Sequence, residues 1–90
     1  MTKQEFVDAV ADRSGLSKRD ASAAVDAVLG VVERTLQNGD AITFTGFGKF
    51  HVTRRAARQG VNPRTGAPVQ IQAANVPKFS AGSQLKKAVN

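Results

Sequence analysis

Apolar residues recur at helical spacing through the first third of the chain and then switch to alternation. Phe6, Val7, Val10 and Ala11 fall on one face of a helix. Thr2-Lys3-Gln4-Glu5 precedes them as a capping-box pattern, with Glu5 three residues beyond the Thr2 cap, and Ser14-Gly15 ends the helix. Ser17-Lys18-Arg19-Asp20 opens a second helix with a related cap, and Asn38-Gly39-Asp40 stops it. The short connection predicts an antiparallel helical pair. Val25, Val28, Val32 and Leu36 form one stripe on the second helix, and Leu29 and Val31 lie off it. One short helix cannot cover that surface. Either the sheet that follows covers the excess or a second copy of the chain does. The second reading is preferred and predicts an obligate homodimer, whose folding and association form one equilibrium.

Ala41-Ile42-Thr43-Phe44 reads as a short strand, Thr45-Gly46-Phe47-Gly48 as a turn, and Lys49-Phe50-His51-Val52 as the returning strand. The five phenylalanines are the only aromatics. Spaced on a basic sheet they suggest a base-stacking platform, but with few other large residues in the chain they are better read as core. Arg54–Val61 and Ala67–Val76 then form two extended segments, with Val69, Ile71 and Ala73 alternating against Gln70 and Gln72. Asn62-Pro63-Arg64-Thr65-Gly66 between them is turn chemistry: Pro63 presets φ, Asn62 bonds nearby backbone and Gly66 supplies a positive φ. The result is a β-ribbon of roughly eight to ten residues a side, about 30 Å long at ~3.3 Å per residue. A domain of this size has a radius of gyration near ~12 Å, so the ribbon should project from it. Pro77-Lys78-Phe79 continues extended. Ser80–Ser83 opens a last helix over residues 84–90, with Leu85, Ala88 and Val89 inward and Lys86 and Lys87 outward. Its N-terminus reads either as a phosphate seat or as an ordinary cap.

Charge changes the picture. The net charge is +6 and the pI about 10.6. All seven acids lie in residues 1–40, against five bases there, a net of −2. Residues 41–90 carry eight bases and no acid, a net of +8. An acid-free stretch of fifty residues suits a polyanion better than a mixed solvated surface would. It also argues against a helix-turn-helix reading of the helical pair, which would turn Asp20, Asp26 and Glu33 toward phosphates. The helical half is scaffold.

Ninety residues imply one domain, and the absence of Cys leaves no disulfide, thiol nucleophile or Cys-based metal site. No apolar run is long enough to span a bilayer and the N-terminus is not a signal peptide, so the expectation is a cytoplasmic protein with no membrane partner. His51 is the single histidine and has no carboxylate near it in sequence. The carboxylates show no catalytic or metal-ligand spacing. Gly46-Phe47-Gly48 is not a phosphate loop, because no Gly-Lys-Ser/Thr follows. No enzyme activity, metal or cofactor is expected.

The ribbon, in contrast, carries nucleic-acid chemistry. Arg54, Arg55, Arg58 and Arg64 can neutralise phosphates and reach acceptors in a narrow minor groove, and Asn62, Gln70 and Gln72 can add hydrogen bonds. Strict alternation places Arg54 and Arg58 on one face and Arg55 on the other, unless Ala56-Ala57 holds a bulge. Pro63 either shapes the turn or wedges between base pairs. A competing reading is a protein-interaction module whose ribbon adds a strand to a partner sheet.

Several segments together resemble the HU/IHF group of bacterial histone-like proteins: Gly46-Phe47-Gly48-Lys49-Phe50, Arg55-Ala56-Ala57-Arg58, Gly60, Asn62-Pro63-Arg64-Thr65-Gly66, Pro77-Lys78-Phe79-Ser80-Ala81-Gly82 and Leu85-Lys86. The match runs over essentially all ninety residues. The resemblance implies an α+β fold: an intertwined homodimer with an α-helical base (1–40), a small antiparallel sheet forming a saddle (41–53 and 74–80), a protruding β-ribbon arm per subunit (54–77) and a C-terminal helix (81–90). It implies arms that embrace double-stranded DNA through the minor groove, with Pro63 intercalating and Arg55, Arg58 and Arg64 as contacts. Lys49, Lys78 and Lys86 join them from the saddle and last helix, and Lys3 and Lys18 match flank contacts. The implied function is nucleoid-associated: bending and compacting chromosomal DNA with little sequence preference and a taste for bent, nicked or gapped forms. An IHF-type site-selective bender is the alternative, and RNA is a possible further partner. Val61 departs from the pattern by standing where many members carry a base.

Overall fold

The computed structural model describes all residues, 1–90, as two compact units, Met1–Arg34 and Thr35–Asn90. In the first, α1 spans Lys3–Ser14. Thr2 caps it: its Oγ1 accepts from the Glu5 N–H at 3.2 Å, and its hydroxyl donates to the Glu5 carboxylate at 3.3 Å. Gly15 closes the helix at φ 77°, its N–H donating to the Ala11 carbonyl. Only glycine takes that conformation without strain. Ser17 caps α2, Lys18–Gln37, by accepting from the Asp20 N–H at 3.1 Å. The last turn of α2 belongs to the second unit and is closed by Gly39 at φ 80°, with the Asp40 N–H donating to the Thr35 carbonyl. Ion pairs from Lys3 to Asp26 at 2.7 Å and from Lys18 to Asp8 at 3.8 Å tie the start of each helix to the middle of the other, as antiparallel packing requires.

The buried core is small: Val7, Ala11, Ala21 and Val25, with Val10 packed against it. Around it the chain leaves larger apolar groups in the open. Phe6 is 49% exposed, Val28 57% and Leu29 52%. These three, with Val10, Ala24 and Val25, line one apolar groove on the helical pair.

The second unit carries β1 (Ile42–Phe44), β2 (Gly48–Arg55), β3 (Arg58–Val61), β4 (Pro68–Ile71), β5 (Ala74–Ala81) and α3 (Ser83–Ala88). The first sheet has the order β1-β2-β5, all antiparallel; β3 and β4 form a separate two-stranded sheet. Pro77 lies on β5, an edge strand, where its missing N–H costs no ladder bond on the open side.

The sequence predicts an uninterrupted ribbon from residue 54; the structure divides it. β2–β5 pairing reaches Arg55–Ala74 and β3–β4 pairing resumes at Arg58–Ile71. Ala56-Ala57 on one strand and Gln72-Ala73 on the other lie between, outside either ladder. Two residues are skipped on each side, so the register carries across unchanged and there is no bulge, which would add a residue to one strand only. Three of the four residues in the gap are alanines, whose methyl groups offer little cross-strand contact.

Aromatic packing also differs from expectation. Phe44, Phe50, Phe79 and Val52 share one face of the first sheet, by alternation from the observed register. Phe50 and Phe79 sit directly opposite each other with ring centroids 4.8 Å apart, and Phe44 meets Phe50 edge-on at 6.4 Å. Yet Phe44 is 46% exposed, Phe47 52% and Phe79 42%. The second unit gathers its four phenylalanines but does not bury them. Val89, expected inward, is also exposed, because α3 ends at Ala88 with no further turn to place it.

Candidate nucleic-acid interface

The opposite face of the first sheet is polar and basic. Alternation places Lys49, His51, Thr53 and Arg55 of β2 on it, with Lys78 and Ser80 of β5 and Thr43 of β1. Lys49 pairs with Ser80 and His51 with Lys78. The His51 Nε2 lies 2.9 Å from the Ser80 Oγ, diagonally across the two strands. Three cations, one imidazole and three hydroxyls therefore share one face, and no acidic residue occurs anywhere beyond Asp40.

Arg54 does not join them. It points to the aromatic side and its Nη1 donates to Oδ1 of its cross-strand partner Asn75 at 3.3 Å. In the β3–β4 sheet, Arg58 shares a face with Ile71, Gly60 and Val69, while Gln59, Gln70, Val61 and Pro68 share the other. The Ile71 Cδ1 lies 2.8 Å from where a Cβ on Gly60 would sit, so the glycine lets the isoleucine lie flat across the ribbon. Gln72 falls in the unpaired break rather than alternating with Gln70.

The tip is built by Asn62. Its N–H donates to the Ala67 carbonyl at 2.8 Å, its carbonyl accepts from the Gly66 N–H at 2.7 Å, and its Oδ1 accepts from the Arg64 N–H at 2.9 Å. The Thr65 Oγ1 accepts from the Ala67 N–H, and Gly66 supplies φ 69°. Pro63 and Arg64 are left exposed at the end of the loop. The Asn62 side-chain oxygen bonds nearby backbone inside the turn, as the sequence predicts.

Lys86 on α3 is exposed. At the start of α3 the Leu85 N–H donates to the Gly46 carbonyl at 3.2 Å, and Gly82 makes no side-chain cap. Lys3 and Lys18, in the helical unit, hold the carboxylates described above. Exposed pairs of this kind are worth about 0–1 kcal/mol, so a phosphate would displace them at little cost. His51, Thr53 and Ser80 were not among the candidates from the sequence, yet they share the face of Lys49, Arg55 and Lys78. The signal lay in the parity of β2: Lys49 and Arg55 bracket His51 and Thr53 at even spacing, and any face holding the first pair holds the second.

No helix is long and apolar enough to cross a membrane. The family described as bacterial DNA-binding protein matches residues 1–90. The DNA-binding protein HRm of Rhizobium meliloti is 59% identical over 90 residues, covering all of both chains. The DNA-binding protein HU of Geobacillus stearothermophilus is 51% identical over 89 residues, 99% of each. Among solved structures, an Anabaena HU crystallised with DNA matches with a TM-score of 0.92 at 40% identity, over 99% of this chain and 97% of that one. HU from Thermotoga maritima matches over the full length of both chains with a TM-score of 0.72 at 29% identity. The helices, the small antiparallel sheet and the two-stranded extension are those of HU structures, and the chain belongs to the bacterial DNA-binding protein family that includes HU.

Proposed function

We propose that the protein is an architectural DNA-binding dimer that bends and compacts bacterial chromosomal DNA with little sequence preference. The observation that carries this reading is the polar sheet face. Lys49, Lys78 and Arg55 lie on it in register with a ribbon that ends in exposed Pro63 and Arg64. Bases on a sheet track phosphates; a narrow ribbon fits a groove. The relative crystallised with DNA supports the same assignment.

In this reading the sheet seats the duplex and the ribbons follow the minor groove. Pro63 enters between two base pairs. Architectural proteins of the minor groove, HU and IHF among them, insert apolar wedges in this way, at a general cost of a few kcal/mol per unstacked step. A nicked, gapped or already bent duplex has part of that cost removed, which gives the expected preference for such forms. The role is structural rather than catalytic, the partner is double-stranded DNA, and the place is the nucleoid in the cytoplasm. Relatives named as HU favour this over a site-selective bender.

Dimerisation follows from the uncovered apolar groups. A core of two valines and two alanines is small for ninety residues. Phe6, Val28 and Leu29 on the helices and Phe44, Phe47 and Phe79 on the sheet offer the apolar area that a second copy would bury.

The test is a fluorescence anisotropy titration of a labelled duplex of about 30 base pairs over a salt series. The expected result is log affinity falling linearly and steeply with log salt, equally for unrelated sequences. A shallow slope, or binding that survives removal of the ribbon arginines, would favour the strand-adding interaction module instead.

A further inference from the structure

The His51–Ser80 contact has a consequence for pH. We infer that His51 and Ser80 form a proton-linked phosphate contact at the centre of the basic sheet face, so that DNA binding takes up a proton at His51. This role rests on the proposed DNA contact of the face and falls to two residues outside the lysines and arginines.

The surroundings of the ring are defined by the register. From β2 it is flanked by Lys49 and Thr53, with Arg55 two residues further; from β5 it faces Lys78 directly and Ser80 and Val76 diagonally. β1 ends its pairing at Ile42–Phe50 and brings only the uncharged Thr43 to this face, beside Lys49. No carboxylate occurs among these groups. A phosphate oxygen brought to the face is then the one anion near the ring, and it favours the charged imidazole.

The hydrogen bond supplies the chemistry. In a neutral ring the 2.9 Å Nε2···Oγ contact has either the ring N–H or the hydroxyl as its donor. In the protonated ring both nitrogens carry hydrogen, so Nε2–H must donate to Ser80 Oγ. The Ser80 hydroxyl hydrogen is then free to donate elsewhere, and Nδ1–H is a second donor. One proton taken from solution thus adds a charge and leaves the pair with two donors for phosphate oxygens.

A group that gains a proton on binding strengthens binding as pH falls through its titration. Anisotropy titrations of the full chain on an intact duplex from pH 8.0 to 5.5, at fixed ionic strength, should show affinity rising about five- to tenfold in total. His51→Gln should remove that rise, and Ser80→Ala should reduce it while leaving the ring in place. Calorimetry of the unaltered protein in two buffers of different ionisation enthalpy provides a measurement independent of any variant. It should show net proton uptake on binding. Firm binding with no pH dependence and no proton uptake would overturn the inference and leave the DNA assignment standing. A pH dependence that survives His51→Gln would overturn it too, by pointing to the terminal amine. Absence of binding at any pH in low salt would overturn the DNA assignment and the inference together.

Discussion

The Oδ1 of Asn62 accepts a hydrogen bond from the backbone N–H of Arg64 at 2.9 Å, so the residues on either side of Pro63 are tied to each other across it. Proline has no N–H of its own to give to the turn. The tie therefore holds a rigid, apolar ring at the end of the ribbon, with the Arg64 side chain beside it. In the proposed interface Asn62 would act by shaping Pro63, since its side-chain oxygen is already held within the turn.

Asn62→Ala removes that bond and loosens the tip. A neutral hydrogen bond contributes about 0.5–1.5 kcal/mol, so affinity for a gapped duplex should fall roughly two- to tenfold. Thermal stability should be nearly unchanged, because residues 63–67 of the tip are all exposed. Paired anisotropy and melting measurements check both halves of this expectation.

The division between the two sheet faces predicts unequal arginines. Arg55→Ala should lower the slope of log affinity against log salt by about one, the value of a single phosphate neutralised. Arg54→Ala should change it less, since Arg54 lies on the aromatic side and is held by Asn75. Lys49→Ala and Lys78→Ala should behave like Arg55→Ala. Equal slopes for Arg54 and Arg55 variants would mean that the free-chain faces do not describe the bound state.

Gly48 is buried and packs under Phe79: a Cβ there would run into the Phe79 ring and lie 2.8 Å from the Ser80 carbonyl. Gly48→Ala should therefore destabilise by about 1–3 kcal/mol, through overpacking at the β2–β5 pair. Thermal denaturation at fixed protein concentration reads this directly. Gly30, with nothing within 4 Å of its added Cβ, is the matched control, and Gly30→Ala should be neutral or mildly stabilising.

Leu29→Asp places a charge in the exposed apolar groove with Phe6 and Val28. If a second copy covers that groove, the variant should lose both association and cooperative unfolding, because one chain's core is too small to fold alone. Sedimentation equilibrium and circular dichroism check it. The unaltered protein should also melt at a temperature that rises with concentration.

The helices were legible in the sequence because their ends carry local chemistry: Thr2 with Glu5, Gly15, Ser17 with Asp20, and Gly39 all act within a few residues of where they stand. The tip was legible for the same reason. The break at Ala56-Ala57 and Gln72-Ala73 was not, since it depends on two strands separating at matched positions that lie far apart along the chain. The His51–Ser80 contact spans 29 residues and follows only once the Phe50–Phe79 register is known. Phe44, Phe47, Phe50 and Phe79 pack together, but their exposure reflects how little one chain has to cover them with.

The central claim is that Pro63 wedges DNA that the sheet and ribbons hold. It is tested most directly by the ratio of affinities for a gapped and an intact duplex of the same sequence, measured for the unaltered protein and for Pro63→Ala. The predicted result is clearly tighter binding to the gapped form, and a Pro63→Ala variant that loses most of this preference while keeping its salt slope. Equal affinity for the two duplexes, or a preference untouched by Pro63→Ala, would contradict it and leave a protein that binds phosphates without entering the base stack.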